Sequence, residues 1–187
     1  RLLTSYYQMN KCDKCKLFMD FDKLHLENRE ECDILINKVI DSVNEVYGLN
    51  ITISDLVIDY YWDTRKDKLS NGREKEINSL HIICKTFYTD RILMKRFIHY
   101  FYNKYNIEID DIYCVNDNKS RCFRMRDMWK LQTTENEKLI SYNNDNHSFR
   151  DMWIDYVEDL QYVEMKEEYK EQVIEVSSNV EKNIRKN

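Results

Sequence analysis

The chain has 187 residues, of which 42% are hydrophobic and 34% charged, a composition typical of one soluble globular domain. The formal net charge of −5 argues against a protein that binds nucleic acid through an overall positive charge. A local basic face is still compatible with it, because basic residues with interleaved aromatics gather between Arg91 and Lys130. No apolar run approaches the length that spans a bilayer, so we expect no membrane partner.

The first residue is Arg1 rather than a methionine, which we interpret as the start of a fragment of a longer protein. Among the six cysteines, only Cys12 and Cys15 stand at the spacing of a zinc-binding pair. A zinc site needs a second pair of ligands at such spacing, and the sequence offers none. We therefore expect no structural zinc, and we predict reduced thiols in an intracellular protein.

Apolar spacing in the first half of the chain predicts strands and one long helix. The helix covers 29–47, with Asn28 as its N-cap, Glu31 three residues later and Gly48 just after its end. The other predicted elements are strands over 16–22, 51–62 and 79–87, with a polar loop over 65–76.

The second half of the chain also predicts a mixture of helices and strands. A helix over 90–105 precedes strands over 107–113 and 121–125 and a polar loop over 132–147. Ser148 and Asp151 resemble a capping box that opens a last helix. That helix is expected to bury Met152, Trp153, Tyr156, Val157 and Leu160. The order of elements predicts an α+β fold.

Asp20 and Asp22 end the first apolar strand and form the first cluster of chemical interest. Alternate residues of a strand point to the same face, so both carboxylates are presented together. A divalent cation relieves their mutual repulsion, and Mg²⁺ and Mn²⁺ prefer such oxygen ligands. The alternative is an acidic strand end on the surface that binds nothing.

Ser79 and His81 form the second cluster, on one face of a later strand. A hydroxyl and an imidazole side by side can bind a phosphate group. The alternative is a histidine packed in the sheet, with its ring nitrogens bonded to protein groups.

The third cluster lies between residues 109 and 130. It offers one more carboxylate, Asp110 or Asp111, and the cations Arg124 and Lys130. The alternative is a strand edge whose charges prevent aggregation.

Together, three carboxylates, a histidine and two cations are the groups that metal-assisted phosphoryl transfer needs. Two metal ions held by carboxylates activate an attacking hydroxyl and stabilise a leaving pyrophosphate. Cations bind the triphosphate and offset the charge of the transition state.

With these motifs in this order, the chain resembles the archaeo-eukaryotic primase superfamily, specifically the primase-polymerase branch that includes the primases of large DNA viruses. The segment LFMDFD at 17–22 resembles the first motif of the family, and SLH at 79–81 resembles the second. The third motif is matched by DDIY at 110–113, FRM at 123–125 and Lys130.

The resemblance implies a primase-polymerase catalytic core over 1–163, with an RRM-like mixed or antiparallel sheet flanked by helices. Residues 164–187 are expected to form a charged helical extension or a linker. The resemblance implies that two Mg²⁺ or Mn²⁺ ions are held by Asp20, Asp22 and a third acid, with Asp110 preferred to Asp111. It also implies that the phosphates of an incoming nucleotide contact Ser79, His81, Arg124 and Lys130.

The implied activity is template-dependent nucleotidyl transfer, in which NTPs or dNTPs start or extend a strand. The implied partners are single-stranded DNA with a primer, and a helicase and a zinc-binding module, fused or separate. The expected location is inside the cell, in the host cytoplasm or nucleus if the protein is viral. Two alternatives stay open. One is a metal-dependent nuclease that uses the same carboxylates, and the other is a non-catalytic RRM-like module whose tyrosines stack on bases.

Overall fold

The structure, a computed structural model, describes residues 7–10, 13–24, 26, 28–68, 74–110, 121–124, 126, 139–142 and 146–170. At 7–10, 23, 61–68, 74–78 and 121–124 it describes the backbone alone. The fold is mixed α+β, as the sequence predicts. No helix in these ranges is long and apolar enough to cross a membrane.

The strands are β1 (Tyr7–Asn10), β2 (Lys14–Leu24), β3 (Leu56–Lys68), β4 (Glu74–Asp90), β5 (Arg121–Arg124), β6 (Ile140–Ser141) and β7 (Gln161–Tyr162). Five of them form one sheet, in which the antiparallel path β2–β4–β3–β6 is extended by β7, parallel to β4. Strands β1 and β5 form a separate antiparallel pair. Strand β4 therefore lies in the middle of the sheet. Strand β2 pairs with one side of β4, and the other side pairs with β3 over its first part and with β7 near its end.

The helices are α1 (Arg29–Tyr47), α2 (Arg91–Tyr105) and the short α3 (Phe149–Met152). The predicted bounds of α1 are confirmed, and so are its caps. Asn28 Oδ1 accepts the N–H of Glu31 at 3.0 Å, and Gly48 has a φ of 67°, a left-handed conformation that favours glycine.

Both long helices pack on the same face of the sheet. Phe21 of β2 meets Phe101 of α2 with ring centroids 5.9 Å apart, and Tyr47 of α1 meets Phe87 of β4 at 5.4 Å. Because side chains alternate along a strand, the even-numbered residues of β2 point to the opposite face. We call that opposite face, which carries Asp20 and Asp22, the site face.

Two predicted boundaries in the first half of the chain are wrong. The segment expected to be a strand from Ile51 begins with a 3₁₀ turn at Ile53–Asp55, where Thr52 and Asp55 form a capping box. The predicted loop over 65–76 is also too long, because β3 continues to Lys68 and β4 begins at Glu74. The backbones of β3 and β4 stay paired there, with Asp67 opposite Lys75 and Lys68 opposite Glu74.

The second half departs further from the prediction. Residues 107–110 form neither helix nor strand, and the polar loop over 132–147 contains β6. The Ser148 capping box is present, yet α3 ends after four residues. Trp153 is 41% exposed and Ile154 is buried, contrary to the predicted apolar stripe. The helix stops because the following backbone bonds to the sheet, with Lys16 N–H donating to Ile154 O at 2.8 Å.

Candidate metal centre

Asp20 and Asp22 lie on the site face near the end of β2, as the strand alternation predicts. Asp20 is buried in the sheet, with only 4% of its surface exposed, whereas Asp22 is exposed. The pair therefore joins one acid fixed by its surroundings to one that solvent can reach.

The third acid, Asp110, is positioned beside β2 by the way in which α2 ends. Asn106 ends that helix in the left-handed conformation, with a φ of 53°, and its N–H donates to Tyr102 O at 2.7 Å. Four residues later the N–H of Asp110 donates to Asp20 O at 2.8 Å, along the edge of β2 that faces away from β4. Asp110 thereby lies beside Asp20, while Asp111 lies outside the described residues.

Oxygen atoms of Asp20, Asp22 and Asp110 lie within 4.8 Å of one another. Three carboxylates at this separation repel each other, and a cation between them removes that cost. Their oxygen donors suit a hard divalent cation, and the exposure of Asp22 leaves a route from solvent. The three acids are thus a candidate site for a metal ion.

Ser79 and His81 stand next to these acids on β4. The hydroxyl of Ser79 donates to Asp22 Oδ1 at 3.0 Å, and His81 Nε2 lies 3.1 Å from Asp20 Oδ1. Both side chains are buried. Five of the residues selected from the sequence are therefore brought together, and the serine and the histidine each contact an acid of the cluster.

Asp59 and Arg126 also belong to this neighbourhood, although neither is part of a predicted motif. In register, Asp20, His81 and Asp59 follow one another across β2, β4 and β3. Arg126 Nε lies 2.6 Å from Asp59 Oδ1, and both side chains are nearly buried. The only sequence signal was a lone acid, Asp59, between apolar strand residues.

Lys16 lies four residues before Asp20 on the same face of β2. Its ammonium donates to the carbonyl oxygens of Arg150 and Asp151, in the segment that covers this end of the site face. Burial lowers the pKa of Lys16 to about 8, although the Asp151 carboxylate acts in the opposite direction. The site face is thus closed around Lys16 and open around Asp22.

For the remaining predicted site residues, Arg124 and Lys130, the structure describes no side chain. The backbone of Arg124 lies in β5, opposite Tyr7 of β1, and its side chain is outside the described atoms. Lys130 and Cys12 lie outside the described residues, and Cys15 is a buried residue of the core. The expectation of no structural zinc stays a prediction.

Comparison of the chain with protein-family models found no matching family, and comparison with curated proteins found no matching relative.

Proposed function

We propose that this chain is a metal-dependent nucleotidyl transferase of the primase-polymerase type, which extends or starts a strand on a DNA template. The observation that carries the proposal is the convergence of Asp20, Asp22 and Asp110, from two separate segments, next to Ser79 and His81. The resemblance of the motifs to the primase superfamily supports the same conclusion.

In this proposal the three acids hold two Mg²⁺ or Mn²⁺ ions. Ions bound there would activate the 3′-hydroxyl of the growing strand and stabilise the leaving pyrophosphate. A bond forms between the 3′-oxygen and the α-phosphorus of the nucleotide. The bond from that phosphorus to the pyrophosphate oxygen breaks, and the hydroxyl proton is released.

The protein groups around the acids have two tasks in this reaction. Ser79 and His81 contact Asp22 and Asp20, which orients the carboxylates. They also stand on the face where the triphosphate is proposed to bind, with Arg124 and Lys130 as the cations that offset its charge. The proposed partners are a primed single-stranded DNA, NTPs or dNTPs, and a helicase and zinc-binding module, and the proposed location is inside the cell.

The test is a primer-extension assay. A primer labelled at its 5′ end is annealed to a longer template and incubated with Mg²⁺ or Mn²⁺ and either dNTPs or NTPs. An unprimed template tests strand initiation. Lengthening of the primer is expected, together with its loss in Asp20→Asn and its persistence in Asp41→Asn, which changes an exposed acid of α1.

Two other outcomes overturn the proposal. Metal-dependent shortening of the labelled strand assigns the same carboxylates to a nuclease. Binding of the strand without any change in its length, unaffected by Asp20→Asn, assigns the chain to the non-catalytic nucleic-acid-binding modules.

A further inference from the structure

A cleft of about 440 Å³ opens beside the carboxylate cluster. Asp22 and Asp110 belong both to the cluster and to the wall of the cleft. The other described wall residues come from α2 and from the segment that follows it: Ile98, His99, Tyr102, Glu108 and Ile109. A volume of this size falls within the range of small-molecule binding sites.

The cleft lies on the opposite side of the acids from Ser79 and His81. Strand β4, which carries those two residues, pairs with one edge of β2, and the backbone of Asp110 bonds to the other edge. The described wall of the cleft contains residues from the Asp110 side and from α2, and none from β4. A ligand in the cleft therefore approaches the carboxylates from a different direction than a ligand held by His81.

The α2 wall combines an aromatic ring with an apolar floor. Ile98 and Tyr102 are four residues apart, and His99 lies three residues before Tyr102, so all three share one side of the helix. Ile98 and Ile109 are 5% and 6% exposed, whereas Tyr102 is 43% exposed and presents its ring to solvent. An exposed aromatic ring in the same cleft as apolar side chains suits a nucleic-acid base, because bases stack on aromatic side chains.

The charges of the wall select against phosphate. Glu108, which is not among the proposed metal ligands, repels a phosphate group at close range, whereas the charges of Asp22 and Asp110 are offset when metal is bound. An uncharged nucleoside meets no such repulsion, and its sugar hydroxyls can donate hydrogen bonds to carboxylate oxygens. The cleft thus favours a nucleoside over the phosphate part of a nucleotide.

We propose that this cleft binds the 3′-terminal nucleoside of the strand that is extended. The assignment rests on the proposed function, since it requires a strand end whose hydroxyl reaches the carboxylate cluster. The two substrates then lie on opposite sides of β2, the triphosphate near His81 and the strand end near Tyr102. The 3′-hydroxyl lies between them, beside Asp22 and Asp110.

Tyr102→Ala tests the assignment by separating the two substrates. In steady-state primer extension the KM for the primer–template should rise on the order of tenfold, because one base loses its stacking partner. The KM for the nucleotide should stay unchanged, and Tyr102→Phe should restore the primer KM. Ile92→Ala is the matched control, since Ile92 is 67% exposed on the same helix and does not line the cleft.

A second measurement does not depend on catalysis. Fluorescence anisotropy with a labelled primer–template and Mn²⁺, without nucleotide, should show weaker binding to Tyr102→Ala by a similar factor. With no metal present, a 3′-phosphate on the primer should weaken binding to the unmodified protein, because it adds negative charge beside Glu108 and the metal-free Asp22 and Asp110. Circular dichroism melting of each variant checks that the fold is retained.

The possible failures are distinct. Extension with a primer KM that is independent of Tyr102, or a rise in the nucleotide KM alone, overturns the cleft assignment and leaves the proposed function standing. No extension by the unmodified protein, combined with strand-end binding that depends on Tyr102, overturns the polymerase and retains the cleft. Binding that depends on neither Tyr102 nor the 3′ end overturns the cleft assignment in either case.

Discussion

Asp20 and His81 stand directly opposite each other on β2 and β4, and Asp20 Oδ1 lies 3.1 Å from His81 Nε2. Each side chain is about 6% exposed, so solvent contributes little to their interaction. The contact ties the most buried acid of the cluster to the residue proposed to bind phosphate. A substitution at His81 should therefore lower both the affinity for metal and the efficiency of nucleotide incorporation.

His81→Ala is expected to lower both affinities. Loss of the imidazole beside Asp20 should weaken Mn²⁺ binding on the order of tenfold, as is typical when a group that orients a carboxylate ligand is removed. Nucleotide incorporation should lose about tenfold to a thousandfold in kcat/KM, the effect of one charge-assisted contact to the phosphates. Titration calorimetry with Mn²⁺ and single-nucleotide extension kinetics measure the two effects.

His147→Ala is the control, because it removes an imidazole in the segment before α3. His81→Gln should recover part of the metal affinity, since its amide can donate to Asp20. If His81→Ala leaves both the Mn²⁺ affinity and the kcat/KM for nucleotide at their original values, His81 is a packing residue of the sheet.

Asp22→Asn should abolish the stabilisation that metal gives the folded protein. A metal that binds only the folded state stabilises it by about 2.7 kcal/mol at one hundred times its Kd. The asparagine oxygen can still accept the Ser79 hydroxyl, so the substitution removes charge rather than the hydrogen bond. Without metal, the variant should be as stable as the original or slightly more, because carboxylate repulsion is relieved.

Thermal melting with and without Mn²⁺ measures this effect, and Asp41→Asn on the exposed face of α1 serves as the control. A melting temperature that rises equally with Mn²⁺ in Asp22→Asn and in the original chain would place the metal elsewhere.

Arg126→Leu should destabilise the fold by about 3 kcal/mol, because it leaves the buried Asp59 without the cation that lies 2.6 Å away. The Lys104 and Glu45 side chains form a comparison pair that is 36% and 40% exposed. Lys104→Met should cost less than about 1 kcal/mol, since water screens and replaces that interaction. Urea unfolding of each variant gives the free energies.

The double variant Asp59→Asn/Arg126→Leu should regain most of the loss, as neither charge of this pair then remains to be left without the other. Additive losses from the two single changes would mean that the pair does not act as a unit.

Features set by neighbouring residues in the chain could be predicted from the sequence. The bounds and caps of α1 follow from apolar spacing, Asn28 and Gly48, and the shared faces of Asp20 with Asp22 and of Ser79 with His81 follow from strand alternation. These are local properties of the backbone.

Features set by register between distant segments could not be predicted. Nothing in the local pattern places Arg126 beside Asp59, 67 residues away, because that contact depends on where the tertiary fold puts residue 126 relative to β3. The position of Asp110 beside Asp20 depends on the left-handed turn at Asn106 and on one backbone bond to β2. The early end of α3 could not be predicted either, because backbone hydrogen bonds to the distant strand β2 override the helical pattern of the segment.

Asp155 follows the buried Ile154 in the segment after α3. Its Oδ1 is buried and has no hydrogen-bond partner among the described residues. Burial raises the pKa of Asp155 to about 6, against the lowering effect of Arg91, so the folded state holds its proton to higher pH than the unfolded chain does. Between about pH 4 and pH 6 the folded state therefore binds more protons, and the free energy of unfolding falls as pH rises.

Asp155→Asn removes this loss, so the variant should exceed the original chain in stability by on the order of 1 kcal/mol at pH 7.5 and match it near pH 4. Urea unfolding of both proteins from pH 4 to pH 8 measures the difference, with the exposed Asp159→Asn as the control for a simple change in net charge. A difference in unfolding free energy that stays constant across this range, or that Asp159→Asn reproduces, would show that Asp155 is ionised in the folded protein at little cost.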